Sequence, residues 1–287
     1  YKTLLYSNLA QAAQAAIADQ AAATASIGTV EISGQNYVRH YTDGEGNYYG
    51  YAHWAGAALD EGKTLTHAAE ADCTMQLLKF DRGDKTPVVL ANWQTHPHLL
   101  GNVDYASADL VGAFRDALAT KQGWEVAYFT GASGNINPNS LTVNDEKTYV
   151  SMGQAMAEVA ATVQFTEAGL ESIETKQTKY AATYKEITQE QYDAAVAFLA
   201  SEDTGWAAAK AAGFNSIYHA KTIKSVYEAA QKSATKSLEL NAISLGQIAF
   251  VTAPYEMFDT NGETIKSASA YEMTFVLTQA NGSVGYI

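Results

Sequence analysis

The chain has 287 residues and a formal net charge of −13, from 18 Lys and Arg against 31 Asp and Glu. Phosphate binding needs clustered basic side chains, so the composition argues against a nucleic acid partner. The single cysteine, Cys73, excludes an intrachain disulfide and a Cys-rich zinc site, and no apolar run of about 18 residues could span a membrane.

Apolar periodicity and turn residues predict alternating helices and strands along the chain. The predicted helices are 1–23, about 107–120, 147–163, 188–200 and about 207–232, and another ends near 268. The predicted strands are 28–32, 37–41, 75–80, 88–93, 125–129, 238–245, 247–252 and 272–277. Ser107 is a candidate N-cap, and Thr188 with Gln191 reads as a capping box. The pattern predicts one α/β domain, residues 1–287, with mixed sheets flanked by helices.

Three of the four prolines lie at the ends of predicted strands beside polar residues: Pro97, Pro138 and Pro254. In α/β folds the loops at strand ends carry the functional site, so these three loops are the candidates for chemistry. The alternative is that prolines simply collect at strand ends, because they cannot continue a central strand.

Two of these loops offer metal ligands. His96 and His98 end one apolar strand, and neutral imidazole is the commonest protein ligand for metals. Glu256 follows another strand, and carboxylate with imidazole is a normal zinc set. Each residue also has a simpler interpretation: a hydrogen-bonded loop histidine, and a glutamate favoured by a helix N-terminus.

The third loop is rich in small residues, from Gly131 to Pro138. Such a loop lets the backbone approach a ligand and present N–H groups to an oxyanion. It is not a phosphate-binding loop, because the Gly-Lys-Ser/Thr ending is absent. A tight turn capped by asparagine side chains is the equally open alternative.

Five ordered motifs together resemble those of the neutral/alkaline (non-lysosomal) ceramidase family. The motifs are most similar to those of bacterial ceramidase-like proteins of unassigned substrate. The motifs are Asn92-Trp93-x-x-His96-Pro97, Ser107-Ala108-Asp109-x-x-Gly112, Gly131-Ala132-x-Gly134-Asn135-Ile136-Asn137-Pro138, Pro254-x-Glu256 with Gly262, and Asn281-x-x-x-Gly285-Tyr286-Ile287. Asn36-x-x-Arg39 and Asp43-Gly44 are also similar to that family.

The resemblance implies hydrolysis of the amide bond of N-acyl sphingoid lipids at a zinc ion. It maps the metal ligands to His96, Glu256 and Tyr286, and the carbonyl-polarising arginine to Arg39. It also makes Gly134 and Asn135 the substrate or oxyanion loop, with Asn137 able to donate a hydrogen bond there.

The chain departs from the family pattern in two ways. The family's first zinc histidine lies in a Thr-His-Thr-His-Ser-like motif before the first helix, and we expect that segment to be missing here; Thr66-His67 does not replace it. The family's Gly-Asp-Val-Ser-Pro-Asn loop has Asn137 in place of serine, which disfavours a serine nucleophile and leaves a metal-activated water.

The sequence therefore predicts a zinc-dependent hydrolase of linear amide C–N bonds, with a small-molecule or lipid substrate. A separate N-terminal segment that completes the site is the expected partner. The alternatives are a catalytically decayed lipid- or glycan-binding protein and a hydrolase of another amide or ester. The compartment stays open between secreted and cytoplasmic. Residues 188–232 are predicted to form a helical insertion. It is either a functional element (a lid or an interaction surface) or a solvated helical hairpin. His53 is a candidate for lining the substrate site.

Overall fold

A computed structural model describes residues 2–50, 55–101, 103–139 and 148–287. His53 lies outside the described residues. The described helices are α1 (Lys2–Ala18), α2 (Asp109–Gln122), α3 (Tyr149–Ala160), α4 (Gln189–Leu199), α5 (Trp206–Ala211), α6 (Ile217–Lys232) and α7 (Asp259–Ala268).

The described strands alternate with these helices. They are β1 (Thr24–Glu31), β2 (Asn36–Val38), β3 (Tyr41–Thr42), β4 (Tyr48–Tyr49), β5 (Thr66–His67), β6 (Thr74–Arg82), β7 (Lys85–Trp93), β8 (Glu125–Thr130), β9 (Ile136–Pro138), β10 (Thr166–Ala168), β11 (Ile173–Thr183), β12 (Thr235–Leu245), β13 (Ile248–Ala253) and β14 (Met273–Thr278).

Two larger sheets organise the strands. One has the order β10-β1-β6-β7-β8 and the other β11-β12-β13-β14. Each mixes orientations: β6 and β7 are antiparallel whereas β7 and β8 are parallel, and β13 and β14 are also parallel. The fold is therefore α/β with mixed sheets flanked by helices, which confirms the predicted fold class.

Helices α2 and α3 cover one face of the five-stranded sheet. Leu77 of β6 faces them and packs with Phe114 and Met156, all fully buried. The two helices approach closely at Gly153, where an added Cβ would lie 2.6 Å from the backbone nitrogen of Phe114. A larger side chain there would push the helices apart, because a packed interior has no spare volume.

The opposite face of the five-stranded sheet packs against the four-stranded sheet. Leu78, the neighbour of Leu77, points to this second core with Ile27, Ile248 and Phe275. The change of face between adjacent residues follows the two-residue period of a strand. Phe275 stacks on Phe250 with ring centroids 4.8 Å apart.

Two small sheets complete the strand pairing. The first joins β2 to β9, with Val38 opposite Ile136, and the second has the order β4-β3-β5. Strand β9 was not predicted, because three residues show too little alternation to detect. Its pairing with β2 places Arg39, which follows β2 directly, beside the residues that precede β9.

The chain divides into two compact units, Tyr1–Lys176 with Asn241–Ile287, and Gln177–Leu240. The second unit contains residues 188–232, and its core is built from Ala195, Phe198, Phe214 and Ile223 with their neighbours. The Thr188–Gln191 capping box is confirmed, with both reciprocal hydrogen bonds present. The helical stretch predicted over 207–232 is divided into α5 and α6, and Gly213 has a left-handed φ of 82° in the connection.

Two expectations for helices are corrected. Helix α1 forms but ends at Ala18 rather than near residue 23, and none of its residues is buried, so its apolar face is exposed. Ser107 is not the N-cap of α2: that position is Ala108, and the Ser107 hydroxyl accepts a hydrogen bond from the Asp109 amide. Among the described residues, no helix is both long and apolar enough to cross a membrane.

Candidate functional site

His96 stands beyond the end of β7, on a segment held by the β9 backbone. Its amide and its Nδ1 atom both donate to the carbonyl oxygen of Ile136, at 3.1 Å and 2.8 Å. A carbonyl only accepts, so Nδ1 carries a proton, and Nε2 is an acceptor whenever the ring carries no second proton. Nε2 lies 3.3 Å from Oε2 of Glu256.

The contact between His96 and Glu256 requires a positive charge. With a neutral imidazole, two acceptor atoms would face each other at 3.3 Å. Two arrangements relieve this: a protonated imidazole paired with the carboxylate, or a cation held by both side chains. The hydrogen bond from Nδ1 to Ile136 O is compatible with both, and it is also a usual support of a metal-binding histidine.

Glu256 and Tyr286 are joined through the backbone. The amide of Glu256 donates to Gly285 O at 2.8 Å, and the amide of Ile287 donates to Glu256 O at 3.3 Å. This parallel bridge places Tyr286 directly beside Glu256. Burial raises the pKa of Tyr286; contact with Arg39 lowers it and contact with Glu256 raises it.

Arg39 lies between the glycine-containing loop and Tyr286. Its Nη2 donates to Gly134 O at 2.6 Å, and its Nη1 donates to Asn137 Oδ1 at 3.4 Å. The guanidinium carbon lies 5.6 Å from the ring centroid of Tyr286. The β2–β9 pairing produces this placement, because the Arg39 amide continues it by donating to Asn135 O at 2.9 Å.

The Gly134–Asn135 loop, predicted to contact the substrate or an oxyanion, makes close contacts within the protein. The amide of Gly134 donates to Met257 O at 2.7 Å, and a Cβ at this position would collide with Glu256 O. Glycine is thus required for the close approach of two backbones. In this arrangement the Gly134 amide is engaged within the protein, and its carbonyl oxygen holds Arg39.

Asn135 is buried and forms a reciprocal pair with Asp259 at the start of α7. Asn135 Nδ2 donates to Asp259 Oδ1 at 2.6 Å, and the Asp259 amide donates to Asn135 Oδ1 at 2.9 Å. Asp259 is only 1% exposed. The pair fastens the loop that carries Gly134 and Asn137 to the segment that carries Glu256.

The structure brings together six of the seven candidate residues, His96, Glu256, Tyr286, Arg39, Gly134 and Asn137, and places Asn135 beneath them. They come from five separate stretches of the sequence. Asp259 was missed by the sequence reasoning, because an acidic residue at a helix start is explained by the helix dipole alone.

The other histidines are placed as follows. The His98 ring contacts His96 at a centroid distance of 5.4 Å, and burial lowers its pKa. The Nδ1 atom of His67 contacts Val38 O, and His219 belongs to α6. Within residues 2–50, 55–101, 103–139 and 148–287, no group of three or more His, Cys, Asp or Glu side chains could hold a metal ion. Two such side chains, His96 and Glu256, do come together, and Tyr286 lies beside Glu256 through the backbone bridge.

Asp109, singled out with Ser107 in the sequence, fastens the loop after His96. Its carboxylate accepts from the amides of Leu100 and Leu110, at 2.9 Å and 2.6 Å. Asp109 is a non-glycine residue with positive φ, 48°, which is a strained conformation that the two hydrogen bonds help to hold.

Comparison with known proteins finds similarity at the level of structure. No protein-family model matches the chain, and no curated protein sequence matches it. A solved neutral ceramidase from Pseudomonas aeruginosa is similar with a TM-score of 0.58 and 13% identity over 93% of this chain and 46% of that one. A solved ceramidase complexed with C2 is similar with a TM-score of 0.59 and 13% identity, over 93% and 48%.

The chain spans about half the length of these ceramidases. At 13% identity, the similarity extends to the arrangement of helices and strands and not to individual residues. The conclusion from fold and comparison together is that this chain has a ceramidase-like α/β fold.

Proposed function

We propose that the protein is a zinc-dependent amidohydrolase that cleaves an N-acyl amide, with a ceramide-like lipid as the substrate class. The observation that carries the proposal is the convergence of His96 Nε2 and Glu256 Oε2, 3.3 Å apart, with Tyr286 fixed beside them. Imidazole nitrogen and carboxylate oxygen are normal zinc donors. The ceramidase-like fold makes hydrolysis the favoured chemistry.

The donor set fits a zinc ion held by His96, Glu256 and Tyr286. When bound, zinc supplies Lewis acidity and makes water a nucleophile near neutral pH. Ile136 keeps the proton of His96 on Nδ1, so that Nε2 stays available. The backbone bridge between Glu256 and Gly285 keeps the Glu256 and Tyr286 residues side by side.

Arg39 supplies the fixed positive charge of the site. Gly134 O and Asn137 Oδ1 hold its guanidinium on one side, and Tyr286 lies on the other. A preorganised guanidinium stabilises charge that develops on a carbonyl oxygen, since it needs no reorganisation during the reaction. Only three arginines occur in the chain, and this one is placed beside the metal candidates.

A decayed, binding-only protein remains the second candidate, and Asn137 is the observation that favours it. An amide side chain is not a nucleophile, and here it accepts a hydrogen bond from Arg39. The two candidates differ in turnover rather than in ligand binding.

Zinc titration of the metal-stripped protein by calorimetry, followed by assays of carboxylic acid release from a panel of N-acyl amides and esters, tests the proposal. We expect one zinc per chain and amide hydrolysis, both lost in His96→Ala and retained in the matched control His219→Ala. Zinc binding without turnover on any amide or ester would establish the binding-only candidate. Equal zinc binding by wild type and His96→Ala would overturn the metal site.

A further inference from the structure

A second histidine stands beside the candidate metal ligand His96. His98 follows it by two residues, and the centroids of the two imidazole rings lie 5.4 Å apart. Two imidazoles bound to one tetrahedral zinc ion have ring centroids about 5 Å apart, because each Zn–N bond is about 2.0 Å long. The separation of the two rings is therefore close to that of two ligands on a common ion.

The two histidines also hold their ring protons in the same way. Nδ1 of His98 donates to the carbonyl oxygen of His96 at 3.3 Å, as Nδ1 of His96 donates to Ile136 O at 2.8 Å. A carbonyl only accepts, so Nδ1 carries a proton in both rings, and Nε2 of each neutral ring is an acceptor. Metal-binding histidines usually have this support on the nitrogen that faces away from the metal.

The loop that carries His98 is fastened at both ends. Before it, the His96 amide donates to Ile136 O at 3.1 Å. After it, the Leu100 amide donates to the Asp109 carboxylate at 2.9 Å. Asp109 holds that end from a strained backbone, with a φ of 48°. Backbone strain of this kind clusters in segments that position functional groups, so the loop has the construction expected of a ligand carrier.

Binding of one ion by both histidines requires a movement of His98. As the side chains stand, no three His, Cys, Asp or Glu residues in the described part of the chain could hold a metal ion together. His98 is exposed, and its hydrogen bond and its ring contact are both with His96. Exposed side chains change rotamer within nanoseconds. The imidazole can therefore turn toward Glu256 without any change in the loop.

We propose that His98 is a further ligand of the zinc ion and binds it through Nε2. The inference rests on the proposed function, because it concerns the same ion. His96 Nε2 and Glu256 Oε2 lie 3.3 Å apart, and two donors on one tetrahedral zinc ion are separated by about 3.3 Å. Adding His98 gives two imidazoles and one carboxylate, which is a usual donor set of catalytic zinc. Zinc can expand to five donors, so Tyr286 keeps its proposed place.

Metal affinity tests the role of His98 without any substrate. The metal-stripped full chain and its variants are titrated with zinc in competition with a coloured chelator. We expect His98→Ala to weaken zinc binding about a hundredfold, since the loss of a group that merely supports a ligand already costs about 10–100-fold. His219→Ala, which changes a histidine of α6, is the matched control and should bind zinc as wild type does.

NMR of the ring nitrogens in the wild-type protein gives a second readout, which a merely structural role of His98 would not produce. Zinc should shift the Nε2 signals of His96 and His98 and leave those of His219 unchanged. Thermal denaturation identifies any variant that fails to fold, and in that case the ring shifts of the wild type decide.

The outcomes separate this inference from the proposed function. Zinc binding that is weakened by His96→Ala but unchanged in His98→Ala, with no shift of His98 Nε2, would keep the metal site and overturn the role of His98. Zinc bound by both histidines without hydrolysis of any amide or ester would support the ligand and contradict the amidohydrolase. Zinc binding that is unchanged in both variants, or absent from wild type, would overturn the metal site and the role of His98 with it.

Discussion

The two compact units differ in charge. Residues 177–240 contain 7 lysines and 7 acidic residues and are neutral, whereas the rest of the chain has 11 basic and 24 acidic residues and carries the full net charge of −13. All seven candidate site residues belong to this acidic unit. An acidic field attracts cations, which suits the proposed metal site, and it repels anionic partners.

The two units also differ in the range of the interactions that build them. In the second unit, short-range contacts define the helix starts: Thr188 with Gln191, and Ser216 with the amide of His219. In the first unit, the site depends on contacts across 95 residues for Arg39 with Gly134 and 160 residues for His96 with Glu256. Short-range contacts thus define the helix starts of the second unit, and long-range contacts assemble the candidate site in the first unit.

The largest expected effects come from truncating one core phenylalanine in each unit. Phe275 is fully buried between the sheets and Phe198 is 6% exposed beside Phe214. Each change to alanine is expected to cost about 3–5 kcal/mol, from lost burial and the cavity left behind. Hydrogen exchange should accelerate within residues 177–240 for Phe198→Ala and within the rest of the chain for Phe275→Ala. Equal acceleration of both regions by either variant would show a single cooperative unit.

The next effect concerns the pair that fastens the site loop. Asp259→Ala leaves the buried Asn135 amide without its acceptor, and we expect a loss of about 1–3 kcal/mol in the free energy of unfolding. The exchanged double variant, Asn135→Asp with Asp259→Asn, can reform the side-chain hydrogen bond with donor and acceptor reversed. Chemical denaturation should find it more stable than Asp259→Ala. A double variant no more stable than Asp259→Ala would mean that packing, not this hydrogen bond, holds the loop.

The smallest effects compare two threonine N-caps, one in each unit. Thr148 accepts from the amide of Ser151 at the start of α3, and Thr188 accepts from the amide of Gln191 at the start of α4. Each change to alanine is expected to cost about 1 kcal/mol, because one helix-terminal amide loses its acceptor. Denaturation gives the size, and hydrogen exchange gives the location. A loss at Thr148→Ala that spreads into residues 177–240 would contradict independent local order.

Several elements were predictable because their signals are local. The β6–β7 hairpin, the strand β8 and the capped helix α4 follow from alternation, turn residues and a four-residue capping pattern. Strand β11 was missed, because nearly all of its residues are exposed, most are polar, and they show no apolar alternation. Its strand conformation is an outcome of pairing in the four-stranded sheet.

The sequence by itself determined the α/β class, the acidic charge and the types of residue available for chemistry, since these depend on composition and short-range periodicity. Only the tertiary structure decided that His96 faces Glu256, that Gly134 holds Arg39 through its carbonyl, and that Asn135 pairs with Asp259. Those contacts join residues far apart in sequence. They depend on the packing of the sheets, because one such contact stabilises the chain by less than the entropy cost of closing so long a loop.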